Sequence, residues 1–397
     1  MATAEAVVGQ TQKNAGPIHE TDSFGSERFA QLQAQLVDRW RSIDDFDRSP
    51  RQILVVPSLS LDQEELMKVE GVHHYEERLL FALIRLRNPE TRLIYVTSQP
   101  LHPSIVDYYL ELLPGIPSSH ARDRLDLFST YDSSLRSLTE KILDRPRLIR
   151  RIKEKIKPNE AYMTCYNSTE MERELALKLD LPLLAVDPDL LYWGTKGGSR
   201  QIFTECGIPL PDGSELTHNV TELAAFASAL WERQPNLQRI VIKLNEGFSG
   251  EGNALLSLSS LGTVAPGKAS SARRTVAIQE AFRQLRFQCG TETWPSFSKK
   301  IQELGAIAEA FVEGEEKYSP SVQGRVTPNG EVEILSTHDQ VLGGPDGQIF
   351  LGCTFPAEDS YRLALQEMGR KVGENLAAKG ALERYSVDFI AVHQPEN

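Results

Sequence analysis

The hydrophobic pattern changes period along the chain. Phe29, Leu32, Leu36, Trp40 and Ile43 recur at helical spacing behind Ser26, which reads as an N-cap, so this stretch predicts one amphipathic helix. Short apolar runs then take over. Gln52–Val56, Leu93–Thr97, Leu125–Phe128, Ala161–Thr164 and Leu183–Val186 read as buried strands. Helical stretches lie between them: Glu76–Leu86, with Leu79, Leu80, Leu83 and Leu86 on one side, a segment through Tyr108–Leu113, and the basic Arg145–Lys157. This alternation predicts an α/β fold with a mostly parallel, doubly wound sheet. The turn after the first strand, Pro57-Ser-Leu-Ser60, has no GxGxxG and so argues against a dinucleotide site.

Beyond Asp187 the pattern turns to mixed α+β. A helix is expected through Gln201–Glu205, stopping at Gly207, with Ile208-Pro-Leu-Pro211 as an extended exit. Thr221–Trp231 predicts a helix burying Leu223, Phe226 and Leu230. Ile240–Ile242 and Ala254–Leu258 predict an antiparallel pair around a glycine turn. Ser259–Ser271 reads as a mobile loop, Thr275–Cys289 and Ser298–Leu304 as helices, and Ala306–Val312 as a strand. Pro328-Asn329-Gly330 between Ser321–Thr327 and Glu331–Ser336 predicts a hairpin. Ala357–Lys379 follows as a long helix broken only at Gly369 and Gly373, then Tyr385–Val392 as a last strand. The expected organisation is a tail plus one helix over 1–50, the tail (1–24) disordered, an α/β domain over 51–186 and a second domain over 187–397.

Composition narrows the function classes. Hydrophobic residues make up 40% and charged ones 25%, ordinary for a soluble globular chain, and no apolar run has the length of a membrane span. The N-terminus lacks a secretory h-region. The four cysteines show no CxxC spacing, so the expectation is reduced thiols in a cytoplasmic protein without zinc or disulfides. A net charge of −12 argues against general binding to nucleic acid or to an anionic membrane, while leaving room for a local basic pocket.

Such a pocket is suggested by Arg239-Ile-Val-Ile-Lys-Leu-Asn-Glu-Gly-Phe-Ser-Gly-Glu-Gly-Asn253. Lys243 closes a buried strand, where an ammonium is costly without an anion; snorkelling to water is the plainer alternative. Lys196 stands at a helix start, where the dipole disfavours a cation unless an anion binds there too. Ser249, Gly250 and Gly252 offer backbone N–H groups to phosphates, although a glycine-rich hairpin turn alone would explain them. Gly262-Thr-Val-Ala-Pro-Gly-Lys268 has Walker A spacing, but Ala269 stands where Ser or Thr must hold Mg²⁺. In Glu309-Ala-Phe-Val-Glu-Gly-Glu-Glu316, the backbone of Phe311 and Val312 is suited to reading adenine and Glu316 to taking ribose hydroxyls, against a solvated acidic turn. Asp388, within an apolar run, needs a metal, a lysine or a capped turn. His73-His74 has no metal-ligand spacing, Cys165 and Cys353 read as core residues, and His338-Asp339 follows the hairpin in possible reach of substrate.

In that order, these parts resemble the ATP-grasp superfamily over residues 186–397, with the preceding domain similar to its pre-ATP-grasp companion. Gly194-Thr-Lys-Gly-Gly-Ser-Arg200 and Val241-Ile-Lys-Leu-Asn-Glu-Gly-Phe-Ser-Gly-Glu-Gly-Asn253 resemble the pheganomycin-type peptide ligases. The resemblance implies ATP and Mg²⁺ as cofactors. Lys196 and Lys243 would act on the phosphates, the Ser249–Gly252 loop would close over them, and Glu309, Phe311 and Val312 would line the adenine pocket. Glu316 would hold the ribose and Asp388 a Mg²⁺ ion. The chemistry implied is carboxylate–amine ligation of amino acids or peptides through an acylphosphate, by a possible homodimer; a phosphotransferase and a non-catalytic nucleotide-binding protein are the alternatives. The family also carries a Glu-x-Asn metal motif on the strand after the aspartate. Here His393-Gln-Pro-Glu396-Asn397 corresponds to the turn before that strand, so the expectation is an ATP-grasp fold lacking its last strands, with little ligase activity.

Overall fold

In the computed structural model the described residues are 22–44, 51–61, 66–67, 69, 71–246, 252–314, 316–344 and 346–393. The chain divides into two compact units, Met1–Leu184 and Ala185–Asn397. In the first, α1 (Asp22–Asp44) buries Phe29, Leu32, Leu36 and Trp40. It starts ahead of Ser26, which therefore lies inside the helix and does not cap it. Strands β1 (Arg51–Val56), β2 (Thr91–Thr97), β3 (Leu125–Ser129) and β4 (Ala161–Cys165) form a parallel sheet in the order β3-β2-β1-β4. Ile53 pairs with Leu93 on one side and Tyr162 on the other. Coverage on both faces is why the central strands are continuous apolar runs.

Between β1 and β2, α2 (Val72–Arg87) is wound as a 3₁₀ helix. Three residues per turn stack Leu80, Leu83 and Leu86 in one fully buried row, with Leu79 in the next row and only partly buried. The remaining helices are α3 (Pro103–Glu111), α4 (Ser118–Arg122), α5 (Leu138–Leu143), α6 (Pro146–Lys155) and α7 (Glu170–Leu179). The basic helix α6 buries Leu148 and Ile152. Leu183–Val186 is not a strand. Leu183 makes one bridge to Met163, and the Gln33 side chain takes its backbone, Nε2 donating to the carbonyl (2.7 Å) and Oε1 accepting from the amide (2.8 Å).

The second unit begins with a 3₁₀ turn over Pro188–Gly194, then α8 (Lys196–Glu205) and α9 (Val220–Arg233). An antiparallel sheet ordered β7-β6-β5-β8 is built from β5 (Arg239–Leu244), β6 (Asn253–Ser257), β7 (Arg286–Phe287) and β8 (Ala306–Ala310). With α9, α10 (Ser271–Ala281) and α11 (Trp294–Leu304) it forms one core around Leu223, Leu230, Trp231, Ile242, Phe282 and Phe297. Phe226 is only partly buried, because Ala224 and Ala227 face the core beside Leu223. Ser259–Ser271 contains a 3₁₀ turn over Ser259–Val264 and buries Val264 in this core. The helix expected to reach Cys289 ends at Ala281, where the chain turns so that Phe282 is buried and Arg286–Phe287 can join the sheet.

A second antiparallel sheet, ordered β12-β11-β10-β13, comprises β10 (Pro320–Val326), β11 (Val332–Gly343), β12 (Ile349–Thr354) and β13 (Glu383–Asp388); β9 (Lys317–Tyr318) pairs separately with β14 (Ala391–Val392). The expected last strand is thus split between β13 and β14. Helix α12 (Asp359–Ala378) runs unbroken through Gly369 and Gly373, both buried. A Cβ at Gly369 would lie 2.6 Å from Val322 Cγ1, and one at Gly373 would lie 2.6 Å from Val332 Cγ1 and collide with the Tyr385 hydroxyl. These glycines let the helix approach the sheet; they do not interrupt it.

Candidate functional site

The end of β5 and the start of α8 are joined by Asn245, a buried residue two past Lys243. Its carbonyl accepts from the Lys196 amide (3.0 Å) and its Oδ1 from the Gly197 amide (3.0 Å), while its own N–H donates to the Gly305 carbonyl (2.9 Å). Thr195 caps α8, its Oγ1 accepting from the Gly198 N–H (3.2 Å) and donating to the Tyr192 carbonyl (2.7 Å). Any Cβ at Gly198 would run into that same carbonyl, so the position admits only glycine. The Leu244 N–H bonds the Gly252 carbonyl (2.9 Å) and closes the base of the glycine turn. Ser249 and Gly250, proposed from the sequence as phosphate donors, lie outside the described residues.

Five charged groups meet here: Lys196, Arg200, Lys243, Glu309 and Asp388. Glu309 in β8 is buried, its side chain 8% exposed, and it pairs with both Lys243 and Arg200, the latter at 2.5 Å. Burial alone would push its carboxyl up, but the two cations outweigh this and hold it below the usual carboxylate range. The Lys196 ammonium is pushed down, first by burial and then by neighbouring Lys243, with Asp388 and Glu309 opposing. Asp388, at the end of β13, opens to solvent on one side but has protein around the rest. That partial desolvation raises its carboxyl, against Lys196 and a hydrogen bond from Gln340 Nε2 (2.8 Å). The structure therefore brings Lys196, Lys243, Glu309 and Asp388 into one electrostatic group.

The Glu309 carboxylate is turned to the half-buried Lys243 and Arg200. The Phe311 N–H is spent on the Arg239 carbonyl (3.2 Å), and its ring lies under the Arg239 guanidinium at 3.9 Å and the Lys317 ammonium at 4.3 Å. Ala310 N–H donates to the Asp212 carbonyl (2.8 Å), so strand alternation turns the Ala310 carbonyl and the Val312 N–H to the edge away from β5. These two backbone groups, not those of Phe311, face away from β5. Glu316 is exposed and pairs with His393, Oε2 to Nδ1 at 3.2 Å.

Arg200, Asn245, Gln340 and the Ala310 carbonyl were missed by sequence reasoning. Thr195 ahead of Lys-Gly-Gly carries an N-cap signal that could have been read; Asn245 and Gln340 carry none, since their roles depend on a distant partner. His74 bonds Glu77 (3.1 Å), and among the described residues no group of three or more His, Cys, Asp or Glu stands ready to hold a metal. Cys353 is exposed on edge strand β12, not a core residue. The Walker-like Gly262–Lys268 stretch borders an open concavity of about 830 Å³ lined by Arg233, Lys268 and Ser271, none of which belongs to the charged group. No described helix is long and apolar enough to cross a membrane.

The two sheets with their helices, the paired lysines and the glycine turn define an ATP-grasp fold. Residues 190–397 match the family described as IQCH-like, ATP-grasp, and the chain belongs to that family. It is 25% identical over 440 residues to "IQ motif-containing protein H" of Danio rerio, covering 99% of this chain and 41% of that protein. It is 27% identical over 333 residues to the L-propargylglycine–L-glutamate ligase of Streptantibioticus cattleyicolor, covering 82% and 65%. The chain thus spans less than two thirds of either relative's length. A biotin carboxylase–βγ-ATP complex from Campylobacter jejuni shares the fold, with TM-score 0.52, 14% identity, and coverage of 87% of this chain and 63% of that one. So does the biotin carboxylase domain dimer of the Hydrogenobacter thermophilus 2-oxoglutarate carboxylase, crystallised with MgADP, with TM-score 0.50, 10% identity, and coverage of 87% and 62%.

Proposed function

We propose that this chain carries the nucleotide site of an ATP- and Mg²⁺-dependent carboxylate–amine ligase acting on an amino acid or peptide. The observation that carries the reading is the electrostatic group itself. Among the described residues Lys196, Lys243 and Arg200 share the carboxylates Glu309 and Asp388, and Lys196 is held partly desolvated at a helix N-terminus. A polyphosphate relieves that arrangement: it supplies the anion that both the lysine and the helix end lack. Lys243 and Lys196 would hold the phosphates, the Ala310 carbonyl and Val312 N–H would read the adenine edge, and Glu316 would take the ribose. The desolvated Asp388 beside Gln340 suits a hard divalent cation, and Mg²⁺ would supply charge neutralisation at the phosphates. The substrate carboxylate would attack the γ-phosphorus with loss of ADP; an amine would then displace phosphate from the acylphosphate and lose a proton to give the amide. A domain locked around two lysines contributes positioning and charge stabilisation.

Titration calorimetry with ATP, with and without Mg²⁺, tests this on wild type, Lys196→Ala and Lys243→Ala. Each substitution is expected to weaken binding by about tenfold to a hundredfold, the worth of a charge-assisted contact. Equal affinity in all three proteins overturns the site. A second reading, a nucleotide-binding protein without turnover, is favoured by the lack of a three-residue metal cluster among the described residues. Phosphate release that requires an amino-acid pair marks the ligase, a phosphorylated product marks phosphotransfer, and binding without release marks the second reading.

A further inference from the structure

The outer surface of the first unit carries a feature that nucleotide chemistry does not use. The 3₁₀ winding of α2 aligns Arg78, Phe81, Ile84 and Arg87 in one row opposite the buried leucines, and all four are exposed. Phe81 and Ile84 are 54% and 59% exposed, which a helix packed on a sheet has no reason to present to water. The chain passes from β1 to β2 to β3 in one direction across the sheet, so α2 and α3 lie side by side on the same face, in contact. Tyr108 on α3 and Leu112 just past its end are 60% and 58% exposed, beside Asp107 and Glu111. Four large apolar side chains are thereby collected on one two-helix face.

The charges on that face are sorted. The α2 row ends in arginines at both sides, whereas α3 carries only acidic charge. Some of these charges already have partners, since Arg78 stacks on Tyr75 at 4.5 Å and Arg122 reaches Asp107 at 3.5 Å. A surface with a basic apolar ridge beside an acidic apolar ridge is complementary to itself under a twofold rotation. That rotation sets α2 of each copy on α3 of the other, apolar on apolar and arginine on carboxylate. We propose that this face binds a second copy of the chain in a twofold-symmetric dimer. Two helix widths of about 10 Å by a row roughly 18 Å long make a small footprint, at the weak end of specific interfaces, so the dimer is expected at micromolar concentrations and to loosen with salt.

Sedimentation velocity with charge-reversed variants tests it. Arg78→Glu/Arg87→Glu puts acid against acid, and Asp107→Arg/Glu111→Arg puts base against base. Each alone is expected to be monomeric where the wild type dimerises, and an equimolar mixture to dimerise again, since both of its α2–α3 contacts regain opposite charge. Far-UV circular dichroism confirms that each variant folds. A wild type that stays monomeric at high micromolar concentration overturns the proposal, as do variants that dimerise undiminished or a mixture that fails to restore the dimer. An interface elsewhere on the molecule would leave both variants dimeric.

Discussion

Glu309 shows how much one residue's role depends on its neighbours. As a letter in Glu309-Ala-Phe-Val it was read as an adenine-pocket residue; the fold adds that it is the carboxylate between the half-buried Lys243 and Arg200. Glu309→Gln leaves two cations facing an amide and is expected to cost about 3 kcal/mol in urea unfolding at neutral pH. The pH dependence has a definite sign. The Glu309 carboxyl sits below its ordinary value of 4.5, so its contribution is complete above that value and is lost as the pH falls through the lower folded value. The gap between wild type and Glu309→Gln should therefore shrink on acidification; a constant gap would exclude the ion pair as its cause. Lys196 has the opposite linkage. Its ammonium is depressed in the free protein, so nucleotide binding should take up protons where the free ammonium has begun to titrate, below the ordinary lysine value of 10.5, and calorimetry in buffers of different ionisation enthalpy would detect this. Binding with no proton uptake there would mean that no anion reaches Lys196.

Elements were read best where a local period suffices. The parallel strands, the Asn329-Gly330 hairpin and the β5–β6 pair all appear near their expected positions, because each is set by neighbours along the chain. The misreadings share one cause, a tertiary partner taking what local pattern had assigned elsewhere. Gln33 occupies the backbone at Leu183, the core claims Val264 from an apparent loop, and β6 captures Arg286–Phe287 from an apparent helix. Helix α12 makes the point quantitatively. Replacing a helix-interior glycine by alanine normally stabilises by about 1 kcal/mol. At Gly373 the added methyl would meet Val332 and the Tyr385 hydroxyl, so Gly373→Ala is expected to destabilise by roughly 1–3 kcal/mol. A raised melting temperature would show that the helix packs less closely on the sheet.

At the scale of the molecule, a net charge of −12 with basic residues gathered around Lys196 and Lys243 predicts selectivity for small anions over nucleic acid. Fluorescence anisotropy with duplex DNA at physiological salt should show no binding where ATP binds; salt-sensitive retention of the duplex would contradict this. The division between sequence and structure follows from the range over which each kind of information acts. Residues near one another in the chain carried the α/β and α+β classes of the two units, the glycine turn, and Lys196 and Lys243 as lysines in costly places. Their periods, breakers and charges act within a few residues. Only the tertiary structure decided that Asn245 ties those lysines together, that Glu309 faces two cations, and that Gln340 and Lys196 flank Asp388. It also decided that a 3₁₀ twist leaves Phe81 and Ile84 facing outward. Each of these depends on groups brought together from distant positions, or on the winding of a helix, and neither is written in a local pattern.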